Sequence, residues 1–220
     1  MKSKTKSGSG QHIKERHLAK LNEILKALGN YRISSIESVG KAIPVYKVII
    51  EAGPSQRKTY YFKVQHKKPK DAVDAFYGEP VDPKEIDEVV TKAIKDVKRK
   101  VNDLISNGEL NKNEVEKEVK NWEELNPFIA HAEDDENWYY LQREVEPLLG
   151  IDALHVGKTL SKIRDLFWEE IMNEFKKRGI VAQDLFPENR TRHNIPFDVD
   201  RIRRNPRFHR FTGKKERGRA

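Results

Sequence analysis

Apolar residues in this chain recur at two spacings, and the spacing switches several times along its length. Between residues 11 and 30 they fall at Ile13, Leu18, Leu21, Ile24, Leu25 and Leu28 and stop at Gly29-Asn30. That is a helical period with a glycine where a left-handed C-terminal stop is expected. Three runs rich in β-branched and aromatic residues follow, "YRISSIESV", "PVYKVIIEA" and "KTYYFKVQH", the last two joined by the turn-forming "GPSQ"; they predict an antiparallel meander. The helical period returns in "DPKEIDEVVTKAIKDVKRKVNDLISNG" and again in "NKNEVEKEVKNWEEL", giving two consecutive helices. "PFIAHA" and "NWYYLQREV" around the acidic turn "EDDE" predict a hairpin. A long helix capped by Asp152 and stopped by Gly179 comes next, with apolar residues at 156, 160, 163, 167, 171 and 175. This order of elements is α+β, and no internal repeat is visible.

With 220 residues, 36% hydrophobic and 35% charged, the chain is expected to be soluble and globular, with one sizeable core or two small ones. No apolar run reaches the roughly 20 residues of a membrane span, and the first residues lack the apolar centre of a secretory signal. An intracellular, cytoplasmic protein with no membrane partner is therefore expected. There are no cysteines, so disulfides and thiolate metal sites are excluded, and the seven histidines show no helical pair that suggests zinc. The formal net charge of +8 changes meaning once it is mapped. Residues 201 to 220 hold nine Lys or Arg against one Glu, and residues 1 to 10 add three lysines. The remainder carries 31 basic against 34 acidic groups. A slightly acidic body thus lies between two basic tails, which read either as solubilising segments or as arms for nucleic acid or another polyanion.

Candidate chemistry collects around "AQDLFPEN" and "PFDVD", where Asp184 is followed five positions later by Asn189 and then by Asp198 and Asp200. Upstream, "SVGKAIPV" contains Gly40 and Val45, "TYYFKV" contains Lys63, "EVKNWEEL" begins at Glu118, and "YYLQREV" contains Gln142, Arg143, Glu144 and Val145. Taken in this order, the segments resemble the protein-kinase fold and its small-molecule phosphotransferase relatives. The resemblance covers about residues 33 to 200 and points to a minimal or truncated member of phage or mobile-element type.

The resemblance implies an N-terminal antiparallel sheet lobe with helices and a reduced helical C-terminal lobe, with ATP and Mg²⁺ as cofactors. It divides the chain into a basic tail (1–10), an N-terminal helix (11–30), an N-lobe with a helical insertion (31–145), a reduced C-lobe with the catalytic loop (146–202) and a basic tail (203–220). Gly40 matches the central glycine of G-x-G-x-x-G-x-V, where backbone approaches phosphate, and Val45 its valine. Lys63 stands at the lysine of V-A-I-K, on the phosphates, with Glu118 as its ion-pair partner. Gln142 to Val145 would contact adenine through backbone groups. Asp184 would orient and deprotonate the attacking hydroxyl, while Asn189 and Asp198 would hold Mg²⁺ through hard oxygen ligands.

The chain departs from the family in several places. "AQD" replaces H-R-D, so control by activation-loop phosphorylation is not implied. "FDVD" replaces D-F-G, and either Asp198 or Asp200 fits the metal position, the alternation Ile195, Phe197 favouring Asp198. Only 22 residues follow Asp198, so recognition of the phosphoacceptor is not inherited. Each residue also has a plainer account. Lys63 fits the exposed face of an edge strand; Glu118, among other glutamates, fits a solvated helix face; Gly40 fits a turn or bulge. Asp184 and Asn189 fit an Asx-turn, and Asp198 a surface bridge to Arg201 or Arg203. Two functions follow. One is an ATP- and Mg²⁺-dependent phosphotransferase with an unknown acceptor. The alternative is a pseudokinase or assembly module whose basic tail engages nucleic acid or a partner, in the cytoplasm or within a viral particle.

Overall fold

In a computed structural model, residues 13–29, 31–40, 44–51, 56–143, 157–182 and 202–204 are described. They form an α+β structure that divides into two compact units, one of residues 1–65 with 129–143 and the other of 66–128 with 144–220.

The first unit is a five-stranded sheet with one helix. The meander predicted from the three β-branched runs is present as β1 (Arg32–Ser38), β2 (Val45–Glu51) and β3 (Arg57–His66). β2 pairs antiparallel with both neighbours, in register Ile36↔Val48 on one side and Val45↔Lys63 on the other. The hairpin expected around "EDDE" is β5 (Phe128–Glu133) and β6 (Asn137–Arg143). It joins the meander through β6, giving the order β1-β2-β3-β6-β5. Asp134 shapes its turn: Oδ1 accepts from the backbone N–H of Glu136 and Asn137 at 3.0 and 2.8 Å, and the Tyr139 hydroxyl donates to Oδ2 at 2.6 Å.

Helix α1 (Glu15–Leu28) lies on one face of this sheet. His17, Leu21, Ile24 and Leu25 form its buried stripe, and Leu21, Ile24 and Leu25 cluster with Tyr46, Val48, Ile50, Phe62, Val64, Tyr139 and Leu141. Because side chains alternate along a strand, these ring and branched residues all point to the same side. Tyr46, Phe62 and Tyr139 stack across three strands with centroids 6.1 Å apart. The helix stops at Gly29, whose N–H reaches the Leu25 carbonyl at 3.1 Å. Its φ of 137° is positive as expected, but ψ is −177°, extended rather than left-handed helical.

The second unit is mainly helical. α3 (Pro83–Ser106) starts on an Asp82 cap that accepts from Lys84 N–H at 2.8 Å, with Pro83 in the first turn. It buries Ile86, Val89, Val90, Ala93, Ile94, Val97 and Val101 and packs against α5 (Lys158–Lys177). The α5 side of that seam is Leu160, Ile163, Phe167, Ile171 and Phe175, the stripe expected from the sequence; the helix starts at Lys158 with Gly157 as its N-cap and not on the expected Asp152 cap, and positions 152 and 156 lie outside the described residues. Glu174 bridges the pair, accepting from Lys92 at 2.8 Å and Lys177 at 2.7 Å.

Three further features differ from the sequence expectation. The helix "NKNEVEKEVKNWEEL" is two pieces, α4 (Lys112–Glu118) and a 3₁₀ turn at Trp122–Leu125. Asn121 interrupts it by accepting from Glu123 N–H with its side chain, a local bond that competes with helix continuation. The helical stretch after β3 is inserted in sequence between the two segments of the first unit, but it belongs with α5 to the second unit, where the α3 stripe packs against α5. Short elements were also not foreseen: α2 (Ala72–Tyr77), β4 (Glu79–Pro80), β7 (Ile180–Ala182) and β8 (Ile202–Arg204), the three strands forming a small sheet in the order β4-β8-β7.

Candidate functional site

The sheet face opposite α1 carries the described candidates. If Tyr46, Phe62, Val64, Tyr139 and Leu141 face the helix, alternation directs Val45, Tyr61, Lys63, Gln65, Tyr140 and Gln142 to the other side, and all six are buried. Lys63 is 1% exposed and sits on the third strand of five. It is therefore neither an edge-strand nor a surface lysine. A fully buried ammonium is rare without a specific reason, since its desolvation costs several kcal/mol.

Backbone bonds hold Gly40 and Val45 at the level of this lysine. Val45 pairs with Lys63, and its carbonyl accepts from Val39 N–H at 2.9 Å and Gly40 N–H at 3.2 Å. The Pro44 carbonyl accepts from Val64 N–H at 3.0 Å. The β1–β2 turn thus lies toward the Gln65 end of β3. Gly40 is half-buried, and its N–H is directed to Val45; residues 41–43, the rest of the turn, lie outside the described residues.

β6 brings Gln142 and Arg143 beside β3, on opposite faces. Burial raises the Tyr60 phenol pKa, and nearby Arg143 opposes that rise; further back along β6, Tyr139 stacks on Phe62 with planes 13° apart. Forward along β6 therefore runs backward along β3. Gln142 accordingly lies toward the Tyr61 end, on the other side of Lys63 from Gln65. Both glutamines are buried, at 0% and 3% exposure, and neither side-chain amide has a hydrogen-bond partner on its nitrogen or its oxygen. Gln65 was not singled out from the sequence, although the period of two in "FKVQ" puts it on the face of Lys63.

Glu118, the last residue of α4, is exposed and belongs to the second unit. Glu144 and Val145, together with Asp184, Asn189, Asp198 and Asp200, lie outside the described residues. The segment holding the last four is bounded by β7 and β8, whose antiparallel pairing Ala182↔Ile202 brings its two ends side by side. Among the described residues, no group of three or more His, Asp or Glu could hold a metal ion, and no helix is long and apolar enough to cross a membrane.

These features define an α+β protein of two units, with a buried lysine and two unpartnered amides on one face of a five-stranded sheet. The chain matches no protein-family model, no curated protein and no solved structure.

Proposed function

We propose that this protein is a nucleotide-dependent phosphotransferase of minimal kinase-like design, using ATP and Mg²⁺. The observation that carries the proposal is the burial of Lys63 on the central strand, paired with Val45 beside the Gly40 turn. A cation held there, next to a close backbone turn, suits the phosphates of a nucleotide, because a low-dielectric site strengthens its attraction for them. Asp184 is assigned the orientation and deprotonation of the acceptor hydroxyl on the sequence resemblance, with Asn189 and Asp198 as the Mg²⁺ ligands. When bound, Mg²⁺ neutralises phosphate charge. Asp and Asn supply the hard oxygens it prefers.

Thermal denaturation with and without ATP and Mg²⁺ tests the proposal. At a hundredfold excess over its dissociation constant, a nucleotide adds about 2.7 kcal/mol of stability, and Lys63→Met is expected to lose that gain. No stabilisation of the wild type by any nucleotide overturns the proposal. Stabilisation without transfer of labelled phosphate to the chain or to added acceptors, unchanged in Asp184→Ala, leaves a nucleotide-binding module in place of an enzyme.

A further inference from the structure

β1 is the outermost strand of the five-stranded sheet, with β2 on one side and no second neighbour among the described residues. An outer strand presents a row of backbone N–H and C=O groups that can accept another strand. Among the described residues, three of the five exposed large apolar side chains, Leu28, Tyr31 and Val39, lie within a few residues of its ends.

An irregularity in β1 decides what fits there. Its register with β2 is Ile33↔Ile50 but Ser35↔Ile49, so β1 uses two residues where β2 uses one, and Ser34 is the extra residue of a bulge. Strict alternation would put Arg32 and Glu37, five apart, on opposite faces, and likewise Ile33 and Ile36, three apart. The extra residue cancels that effect. Ile33 and Ile36 both pack on the α1 side, against the cluster that holds Leu21, Val48 and Ile50, while Arg32, Ser35 and Glu37 are exposed. On each face the segment Arg32-Ile33-Ser34-Ser35-Ile36-Glu37 is therefore complementary to its own reverse. Laid antiparallel against a second copy, it sets Arg32 opposite Glu37 and Ile33 opposite Ile36, each twice, with the serines at the two-fold axis.

We propose that β1 pairs antiparallel, in this register, with β1 of a second copy of this chain, joining two five-stranded sheets into one across a two-fold axis. Such a contact is isologous and closed, so it stops at a dimer. The charges suit the rows in which they lie. Within one copy Arg32 stands opposite Glu51 and Glu37 opposite Lys47 on β2. Each row crossing the seam then runs Lys47, Glu37, Arg32, Glu51 in alternating sign, the last two from the other copy. Opposite charges directly across a strand pair stabilise it, and like charges destabilise it. On the α1 side, Ile33 and Ile36 of the two copies form an unbroken apolar strip. Tyr31, one residue before β1 and 40% exposed, lies diagonal to Ile36 of the other copy, within reach of an aromatic side chain. None of the residues assigned to nucleotide or metal binding takes part, so the dimer stands or falls independently of that function.

Analytical ultracentrifugation of the full chain across roughly 1 to 100 μM, the range in which a modest interface associates, tests the pairing. The wild type, Arg32→Glu, Glu37→Arg and an equimolar mixture of the two variants are compared. The wild type is expected to dimerise reversibly. Arg32→Glu sets carboxylates against each other at both ends of the seam, and Glu37→Arg does the same with guanidinium groups. Each variant alone should dimerise at least about tenfold more weakly, because two contacts change from attraction to repulsion. The mixture should recover wild-type association as a heterodimer, since the carboxylates of one variant then face the guanidinium groups of the other at both ends. A folding defect in either variant is not repaired by mixing, so recovery reports the contact itself. A wild type that stays monomeric across the range overturns the proposal and leaves the bulge as a guard against edge pairing. A wild-type dimer that both substitutions leave intact, or a mixture that associates no better than its components, overturns it as well.

Discussion

Replacing Asp134 by asparagine removes one charge from the β5–β6 turn while keeping the oxygen that accepts from the Glu136 and Asn137 N–H groups. Partial burial pushes the Asp134 pKa upward, but the bonds from Tyr139, Asn137 and Glu136 outweigh it and lower the value from 3.8 to about 2. A folded pKa below the unfolded one means the unfolded chain binds the proton more readily. The stabilisation is therefore fully present above pH 4 and is lost as the pH falls through 2. One pKa unit corresponds to about 1.4 kcal/mol, so the shift sets an upper limit of roughly 2.5 kcal/mol. Solvent screening of a partly exposed turn reduces this to about 1 to 1.5 kcal/mol. Urea denaturation of wild type and Asp134→Asn from pH 7 to pH 2 should give that difference at pH 7 and almost none at pH 2. Tyr139→Phe, which removes the donor to Oδ2, should couple to Asp134→Asn by about 1 kcal/mol in a double-mutant cycle. A difference that stays constant across the range would show that turn geometry, and not the ionised carboxylate, stabilises the hairpin. The turn matters for the site because it sets β6, and with it Gln142.

Gly29→Ala should destabilise the chain by about 1 to 2 kcal/mol in thermal denaturation, because φ is 137°, a backbone conformation that L side chains rarely adopt. Phe167→Ala, at 0% exposure in the α3–α5 seam, should cost about 3 to 5 kcal/mol, read from the urea midpoint. Bonds from Lys177 and Lys92 lower the Glu174 pKa. Glu174→Gln should therefore lose stability at neutral pH, and the loss should fade as the medium is acidified below the unfolded carboxylate range. Asn126 donates to Asp87 at 2.6 Å and to Thr91 at 2.9 Å and accepts from Phe128 N–H at 2.9 Å. Asn126→Ala should cost about 1 to 3 kcal/mol and speed hydrogen exchange at the start of β5.

Local periodicity was enough to identify α1, the meander, the β5–β6 hairpin, α3 and the α5 stripe, because each is long enough to bury one face and so must repeat its apolar residues at the matching period. The break at Asn121 depends on one side chain taking a backbone N–H, and periodicity does not register such a bond. β4, β7 and β8 span two or three residues each, too short for any period, and exist only because distant segments supply their hydrogen bonds. Lys63 shows the same boundary at the candidate site. A lysine between apolar residues reads most simply as an exposed edge-strand residue, and strand order, a long-range property, is what puts it third of five. Gln142 was noticed for its backbone; its buried, unpartnered amide follows from which face of β6 packs on α1. For Glu118, sequence order suggested a partner for Lys63, yet the exposure of the α4 terminus depends on packing that no local pattern encodes. Chain-local forces, the alternation of apolar side chains and the caps and turns, thus set the elements of this protein. Strand order, the division into two units and the burial of Lys63, Gln65 and Gln142 come from which apolar faces meet, and that choice is made between residues far apart in the chain.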